Sequence, residues 1–277
     1  MTGRTVWLAS YPKSGNTWLR AVYTALRTGA EPDINSLEGG NIATSRWLFD
    51  AALGLRSSDL RPEEVQVLRP RADEAVATAE NGDVWRKIHD ALFHGPSGEL
   101  IVSSRATRAA VYIVRDPRDV AVSLAHHEGR RMNEAVDVLC CSGASLAKSG
   151  RRLYDQLASC TGTWSEHVRS WVDQAPFPVH VLRYEDCLAH PVLSFREAFA
   201  AAGIDASESE VAKAVDRASR DRLQAQEEAS GFRERQNRQA LFFRRGVTGS
   251  WREELSADLA DRVVEEHGEM MARLGYL

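Results

Sequence analysis

The chain has 277 residues, 43% of them apolar and 27% charged, which excludes collagen-like and grossly disordered classes and predicts one large domain or two small ones. Lys and Arg number 35 against 39 Asp and Glu, a formal net charge of −4, which argues against a protein that coats nucleic acid. Cys140, Cys141, Cys160 and Cys187 are too few for a disulfide scaffold and lack the CxxC pairing of a zinc site, and no apolar run approaches the ~18 residues of a membrane span. The N-terminus leads at once into a strand-like run rather than a signal peptide, so a soluble, reduced, cytoplasmic protein is expected.

Strand-like and helix-like segments alternate, with no internal repeat, which predicts a single α/β domain with a mainly parallel central sheet flanked by helices. Val6-Trp7-Leu8-Ala9 fits a buried strand; a polar turn from Ser10 to Gly15 follows. Trp18, Leu19, Val22, Ala25 and Leu26 then recur at helical spacing, with Gly29 as the stop. Residues 57–80 read as helical cap material, Val84 to His89 as a strand whose charges suggest an end or an edge, and Ala109 to Val114 as a stronger strand. Asp116 suits an N-cap and Pro117 the first helical position, so a helix is expected through Ser123. Val179 to Arg183 is a further strand, and Pro191 opens a helix ending near Gly203. Residues 128–162 and 224–245 are polar with few periodic apolar positions and are expected as mobile, substrate-covering surface. The stretch from Glu253 to Leu274 carries apolar residues that dock a helix on its own core or on a second subunit, so monomer and homodimer both stay open.

Two stretches carry the chemistry. Lys13-Ser14-Gly15-Asn16-Thr17-Trp18 sits between a strand and a helix, where unpaired backbone N–H groups and the helix dipole favour an anion. Gly15 permits close approach, Ser14, Asn16 and Thr17 offer donors, and Lys13 adds a charge. This is not the nucleotide-triphosphate loop, whose lysine follows the second glycine; here the lysine precedes the only one. A plain turn with a surface lysine is the alternative. Arg115, at the end of the Tyr112-Ile113-Val114 strand, lies where open α/β sheets bind ligands, and its guanidinium can grip a phosphate with two hydrogen bonds. Ser123 could supply a hydroxyl to the same anion. The competing reading pairs Arg115 and Arg118 with Asp116 and Asp119 in a solvated loop. Arg244-Arg245-Gly246 is either a third anion clamp or an ordinary basic surface.

Together these stretches resemble the 3′-phosphoadenosine-5′-phosphosulfate (PAPS)-dependent sulfotransferases, the cytosolic type and its bacterial natural-product relatives. Tyr11 through Trp18 is similar to the family's 5′-phosphosulfate loop, with Asn16 where many members carry threonine, and Arg115 through Ser123 to its 3′-phosphate motif. Gly162-x-Trp164-x-x-His167, Leu182 through Asp186, and Arg244-Arg245-Gly246 with Gly249-x-Trp251 are similar to three further family segments, in family order. The resemblance implies a fold like the P-loop nucleotide kinases, and PAPS as co-substrate with no metal. It implies that Lys13, Ser14, Gly15, Asn16, Thr17 and Trp18 hold the 5′-phosphosulfate end. Arg115, Ser123, Arg244, Arg245 and Gly246 would bind the 3′-phosphate, with Tyr184 close to the adenine. Ala218-Ser219-Arg220 replaces the family's Thr-Ser-Phe, which leaves Arg220 to stack on adenine as a planar cation.

Sulfuryl transfer needs a cation at the leaving oxygen and a base for the acceptor. Lys13 is the candidate cation. Lys87-Ile88-His89 is similar to the family's Lys-x-His at a strand end; Lys87 and His89 share a strand face, and His89 is the candidate base. A structural histidine is the alternative role, and Asp90 and His94 are the alternative bases. His126 and His127 are expected on a helix surface, and His167 with Trp164 in the core. Trp85 and Phe93 flank the base as an acceptor-pocket floor or as plain core. The acceptor is expected to be a small-molecule hydroxyl or phenol, with no nucleic-acid or membrane partner. The competing functions are a nucleotide-dependent kinase and a silent adenine-nucleotide binding module.

Overall fold

The computed structural model describes residues 3–147, 154–237 and 239–277. A four-stranded sheet is built from β1 (Thr5–Ala9), β2 (Val84–Ile88), β3 (Thr107–Val114) and β6 (Val179–Arg183), in the order β2-β1-β3-β6 with every pair parallel. β1 feeds α1 (Asn16–Thr28), which Gly29 ends in the left-handed conformation, as its spacing predicted. The chain returns through α2 (Arg46–Leu53) and α3 (Pro62–Ala79) to the edge strand β2. β3 feeds α4 (Pro117–Glu128), with Asp116 accepting from the Arg118 N–H as N-cap and Pro117 at the first position. α5 (Met132–Leu139), the short antiparallel pair β4 (Ser145–Leu146) and β5 (Ser159–Cys160), and α6 (Trp164–Val172) lead to β6. α7 (Tyr184–Ala189), α8 (Pro191–Ala201), α9 (Glu208–Arg217), α10 (Arg220–Ser230), α11 (Trp251–Glu254) and α12 (Ala257–Arg273) complete the chain.

Strand alternation divides the core in two. Val6, Leu8, Val111 and Ile113 face Leu19, Val22, Phe195 and Phe199 on one side of the sheet. Trp7, Ala9, Tyr112 and Val114 face Val120, Trp164, Val168, Met270 and Met271 on the other. The C-terminal stretch thus docks on its own core, through α12. Among the described residues no helix is long and apolar enough to cross a membrane.

The 128–162 stretch differs from expectation: α5 buries Ala135, Val136 and Leu139 completely. Those apolar positions fill about two turns, too short a window for periodicity to stand out. Within the two stretches expected as mobile cover, residues 148–153 and 238 lie outside the described residues.

Candidate active site

The connection leaving β1 runs to β2 on one side and that leaving β3 runs to β6 on the other, so the crevice between β1 and β3 is a topological switch point. A cavity of about 1350 Å³ opens there, at the C-terminal ends of the strands. Lys13, Gly15, Asn16, Thr17, Trp18, Lys87, His89, Arg115, Ser123, Tyr184, Arg220, Arg244, Arg245 and Gly246 all line it. Ser14, Trp85 and Phe93 do not.

The loop after β1 is shaped by two left-handed residues, Lys13 at φ 69° and Gly15 at φ 108°. A Cβ on Gly15 would stand 2.7 Å from Tyr184 Cδ2 and 3.0 Å from Ile113 Cδ1, so only glycine fits beneath that ring. Asn16 donates to the Leu8 carbonyl at 2.8 Å and ties the first helical turn back to β1. Ser14 is wholly buried under the loop with its hydroxyl unpartnered, which removes its side chain from the cleft wall. The Lys13 ammonium lies 3.7 Å over the Phe242 ring. Burial and the neighbouring Lys87 charge pull it down to about 7, against the opposing pull of Glu234.

His89 follows β2 directly. Its Nδ1 lies 2.9 Å from the Ser10 carbonyl oxygen and 3.2 Å from the Ser10 hydroxyl. Burial, then the charge of Lys87, lower His89 to about 3, so the ring is neutral at pH 7. Behind it, His167 bonds the His89 carbonyl through Nε2 at 3.2 Å and meets the Tyr112 hydroxyl through Nδ1 at 2.9 Å. His167 and Trp164 are fully buried, as expected of core. Asp90 is excluded as a base: it is buried, holds Arg69 through both oxygens at 2.9 and 2.8 Å, and accepts from the Cys160 N–H. His94 lies outside the cavity lining, in a bridge with Leu100.

Arg115 leans over the Tyr184 ring at 4.5 Å, and its Nη2 donates to the Val247 carbonyl at 2.8 Å. Its Nε is buried without a partner. The pairing expected of the alternative is present, with Arg118 on Asp116 at 2.7 Å and Arg115 3.9 Å from Asp119, but all four side chains are buried rather than solvated. Asp119 also accepts from Gly249 N at 2.7 Å, Ser250 Oγ at 3.1 Å and Trp251 N at 3.0 Å, pinning the C-terminal arginine segment to α4. Arg244 is held by Glu254 at 3.0 Å and Arg245 by Glu253 at 2.9 Å. Arg220 packs its methylenes against Gly246, where a Cβ would come within 2.9 Å. Trp18 meets Tyr184 edge-on at 5.8 Å.

Trp85 stacks on Tyr23 at 4.2 Å in the core, a correction to its role as pocket floor. It shares the Lys87 face of β2, but four residues of strand place it ~13 Å short of His89, beneath α1. Phe93 packs on the opposite core cluster. His127, expected on a helix surface, lines the cleft beside Phe242, with ring centroids 5.4 Å apart, and burial with Lys13 and Lys87 holds it at about 3. Glu234, assigned no role from the sequence, accepts from Lys87 Nζ at 2.8 Å and Arg20 Nη1 at 2.7 Å. Burial pushes its carboxyl up, and the two cations outweigh that and hold it below the usual range. Neither residue has a local sequence signal for its role, since both depend on chain segments more than 100 residues apart.

A family model for the sulfotransferase domain matches residues 4–275. Cytosolic sulfotransferase 16 of Arabidopsis thaliana is 27% identical, with 92% of this chain and 72% of that protein covered. Cytosolic sulfotransferase 17 of the same plant is 24% identical, with 98% and 75% covered. Among solved structures, mouse sulfotransferase SULT7A1 complexed with PAP superposes with a TM-score of 0.60 at 20% identity, covering 97% of this chain and 85% of that one. Retinol dehydratase in complex with androsterone and inactive cofactor PAP gives 0.61 at 18% identity, covering 96% and 80%. These superpositions place the fold, a central parallel sheet of the P-loop nucleotide-kinase kind, with the sulfotransferases.

Proposed function

The chain belongs to the sulfotransferase domain family, and from that premise we propose that it moves a sulfuryl group from PAPS to a hydroxyl of a small-molecule acceptor by in-line displacement, with His89 as general base. One observation carries the reading: the phosphate loop, the Lys87–His89 strand end and the Arg115–Val247 junction all converge on one cavity. The residues fit an adenosine bisphosphate. Arg115 keeps a buried, unpartnered Nε while its Nη2 reaches Val247 beside the arginine segment, and Gly15 leaves a backbone surface that a side chain would fill.

In this reading Lys13, Gly15, Asn16, Thr17 and Trp18 hold the 5′ end, and Arg115, Ser123, Arg244, Arg245 and Gly246 the 3′-phosphate, with Tyr184 and Arg220 beside the base. PAPS supplies a sulfuryl group whose bond to the bridging phosphate oxygen breaks as the acceptor oxygen bonds to sulfur. His89 takes the acceptor proton on Nε2, because the Ser10 carbonyl can only accept and so fixes the hydrogen on Nδ1. Lys13 and Lys87 face the developing negative charge. The site requires no metal in this scheme. The acceptor lies among residues 40–42, 124–130, 145–147, 154–156 and 233–236, a lining of mixed polarity that suits a natural-product hydroxyl. A cytoplasmic location and a monomer or homodimer complete the proposal.

The test is incubation with radiolabelled PAPS and a panel of phenols, sugars and natural-product scaffolds, beside ATP with magnesium. Sulfated product with release of PAP is expected. Phosphorylated product from ATP would establish a kinase, and tight PAP binding without any sulfated product a silent binding module.

A further inference from the structure

Glu234 lies in the segment after α10 and lines the cleft. One of its oxygens takes Lys87 and the other Arg20. The Arg20 side chain is only 3% exposed and lies outside the cavity lining. A carboxylate that merely stood in for the donor's anion would rest on cleft cations; Glu234 is anchored from behind, by a buried guanidinium whose removal from water it compensates. The carboxylate is therefore a fixture of the site.

Resting on the sulfotransferase reading above, we propose that Glu234 is a positioning residue for the transfer: braced by Arg20, it holds the Lys87 ammonium and supplies the counter-charge for the cations around His89. Lys87 on β2 and His89 just past its end are two residues apart and both line the cleft, so where the ammonium sits decides the field at the imidazole. The groups facing this centre are few. His89 feels Lys87, Glu234 and His167; Lys13 feels Lys87, Glu234, Arg115 and Glu128; His127 feels Lys13, Lys87 and Glu234. Glu234 is common to all three and favours the protonated form in each. Both of its oxygens are committed, one to Lys87 and one to Arg20, which leaves neither to take the acceptor proton.

Glu234→Gln keeps the shape and removes the charge. Relative to wild type, kcat is expected to fall about ten-fold or more while KM for PAPS stays within about three-fold. The alkaline limb of the rate profile, where Lys13 loses its proton, should move down by about half a pH unit or more. In a Lys87→Met background the same substitution should cost clearly less than with Lys87 present, because the ammonium it holds is gone and only its pull on the remaining cations is left. Unchanged kcat and an unmoved limb would overturn the proposal, as would an equal loss in both backgrounds. If circular dichroism shows the glutamine variant unfolded, Glu234→Asp, too short to span Arg20 and Lys87, must show the same kcat loss, and wild-type kcat overturns the idea. If wild-type protein makes no sulfated product, the functional reading fails on its own. NMR titration of the lysine side chains in the nucleotide-free protein then decides the proposal: a downward move of the Lys13 titration in Glu234→Gln sustains it, and an unchanged one sinks it.

Discussion

The Nδ1 of His89 and the carbonyl oxygen of Ser10 stand 2.9 Å apart, and that contact decides which ring nitrogen can take a proton. A carbonyl only accepts, so Nδ1 carries the hydrogen and Nε2 keeps its lone pair. The loop after β1 thereby orients the imidazole at the end of β2, so the proposed phosphosulfate loop and the proposed base are tied by one hydrogen bond.

Replacing His89 by Asn should reduce sulfuryl transfer by ~10²–10⁴-fold, the usual worth of a positioned base. Affinity for PAP, measured by calorimetry, should change little, since the ring is argued to contact the acceptor. A variant with wild-type turnover would remove the histidine from the mechanism.

Lys13 should set an alkaline limit. Its ammonium is the charged form, present below about 7 in the nucleotide-free protein and lost above it. The second-order rate with PAPS should therefore decline as pH rises through that value, and Lys13→Met should abolish the decline along with ~10²-fold or more of the rate. A profile flat from pH 6 to 9 would count against the lysine.

Arg115→Met should erase the preference for 3′-phosphorylated nucleotides. The loss of charge-assisted hydrogen bonds is worth ~1.5–3 kcal/mol, or roughly 10–150-fold in PAP affinity, while adenosine 5′-phosphate should bind as before. Equal losses for both nucleotides would move the 3′-phosphate elsewhere. Arg115→Lys should not restore the preference, because an ammonium cannot both lie over Tyr184 and reach Val247 in the guanidinium's geometry.

Stability should fall on the acid side. His89 and His127 are lowered to about 3 and His167 and His267 to about 4, each with burial as the first cause. Unfolding lets all four take protons near their ordinary value of ~6.5, so the unfolded state binds more protons and stability drops as pH falls from about 6.5 toward 4. Urea denaturation at pH 7.5 and pH 5 should show the lower midpoint at pH 5, and His167→Gln should flatten part of that slope. Identical midpoints would contradict the neutral, buried assignment.

The framework was legible because its signals are local. Short apolar runs gave β1, β3 and β6, Asp116-Pro117 gave the start of α4, and Gly29 the end of α1, each within a few residues. Lys13, His89 and Arg115 were legible for the same reason: each follows a strand, and strands in a parallel sheet deliver their ends to one side. Glu234, His127 and Asp119 were not, because their roles rest on which residues meet across the fold. Asp119 looked like half of a surface ion pair; it does lie 3.9 Å from Arg115, but buried, and it is also the clasp for Gly249 to Trp251. Trp85 was open between pocket floor and plain core because only its nearness to His89 in sequence spoke for the pocket, and its stacking on Tyr23 decides for the core.

The outer edge of β2 is not bare. Lys87 donates its backbone N–H to the Gly39 carbonyl at 3.1 Å and accepts from Ala43 N at 2.8 Å, so the 39–43 loop is stitched to the strand that carries Lys87 and leads into His89. Gly40 and Ile42 of that loop also line the cavity. Any remodelling of this wall for a different acceptor therefore tugs on the main chain of Lys87, and grafting a relative's loop here should trade turnover for altered selectivity unless the two backbone bonds are preserved.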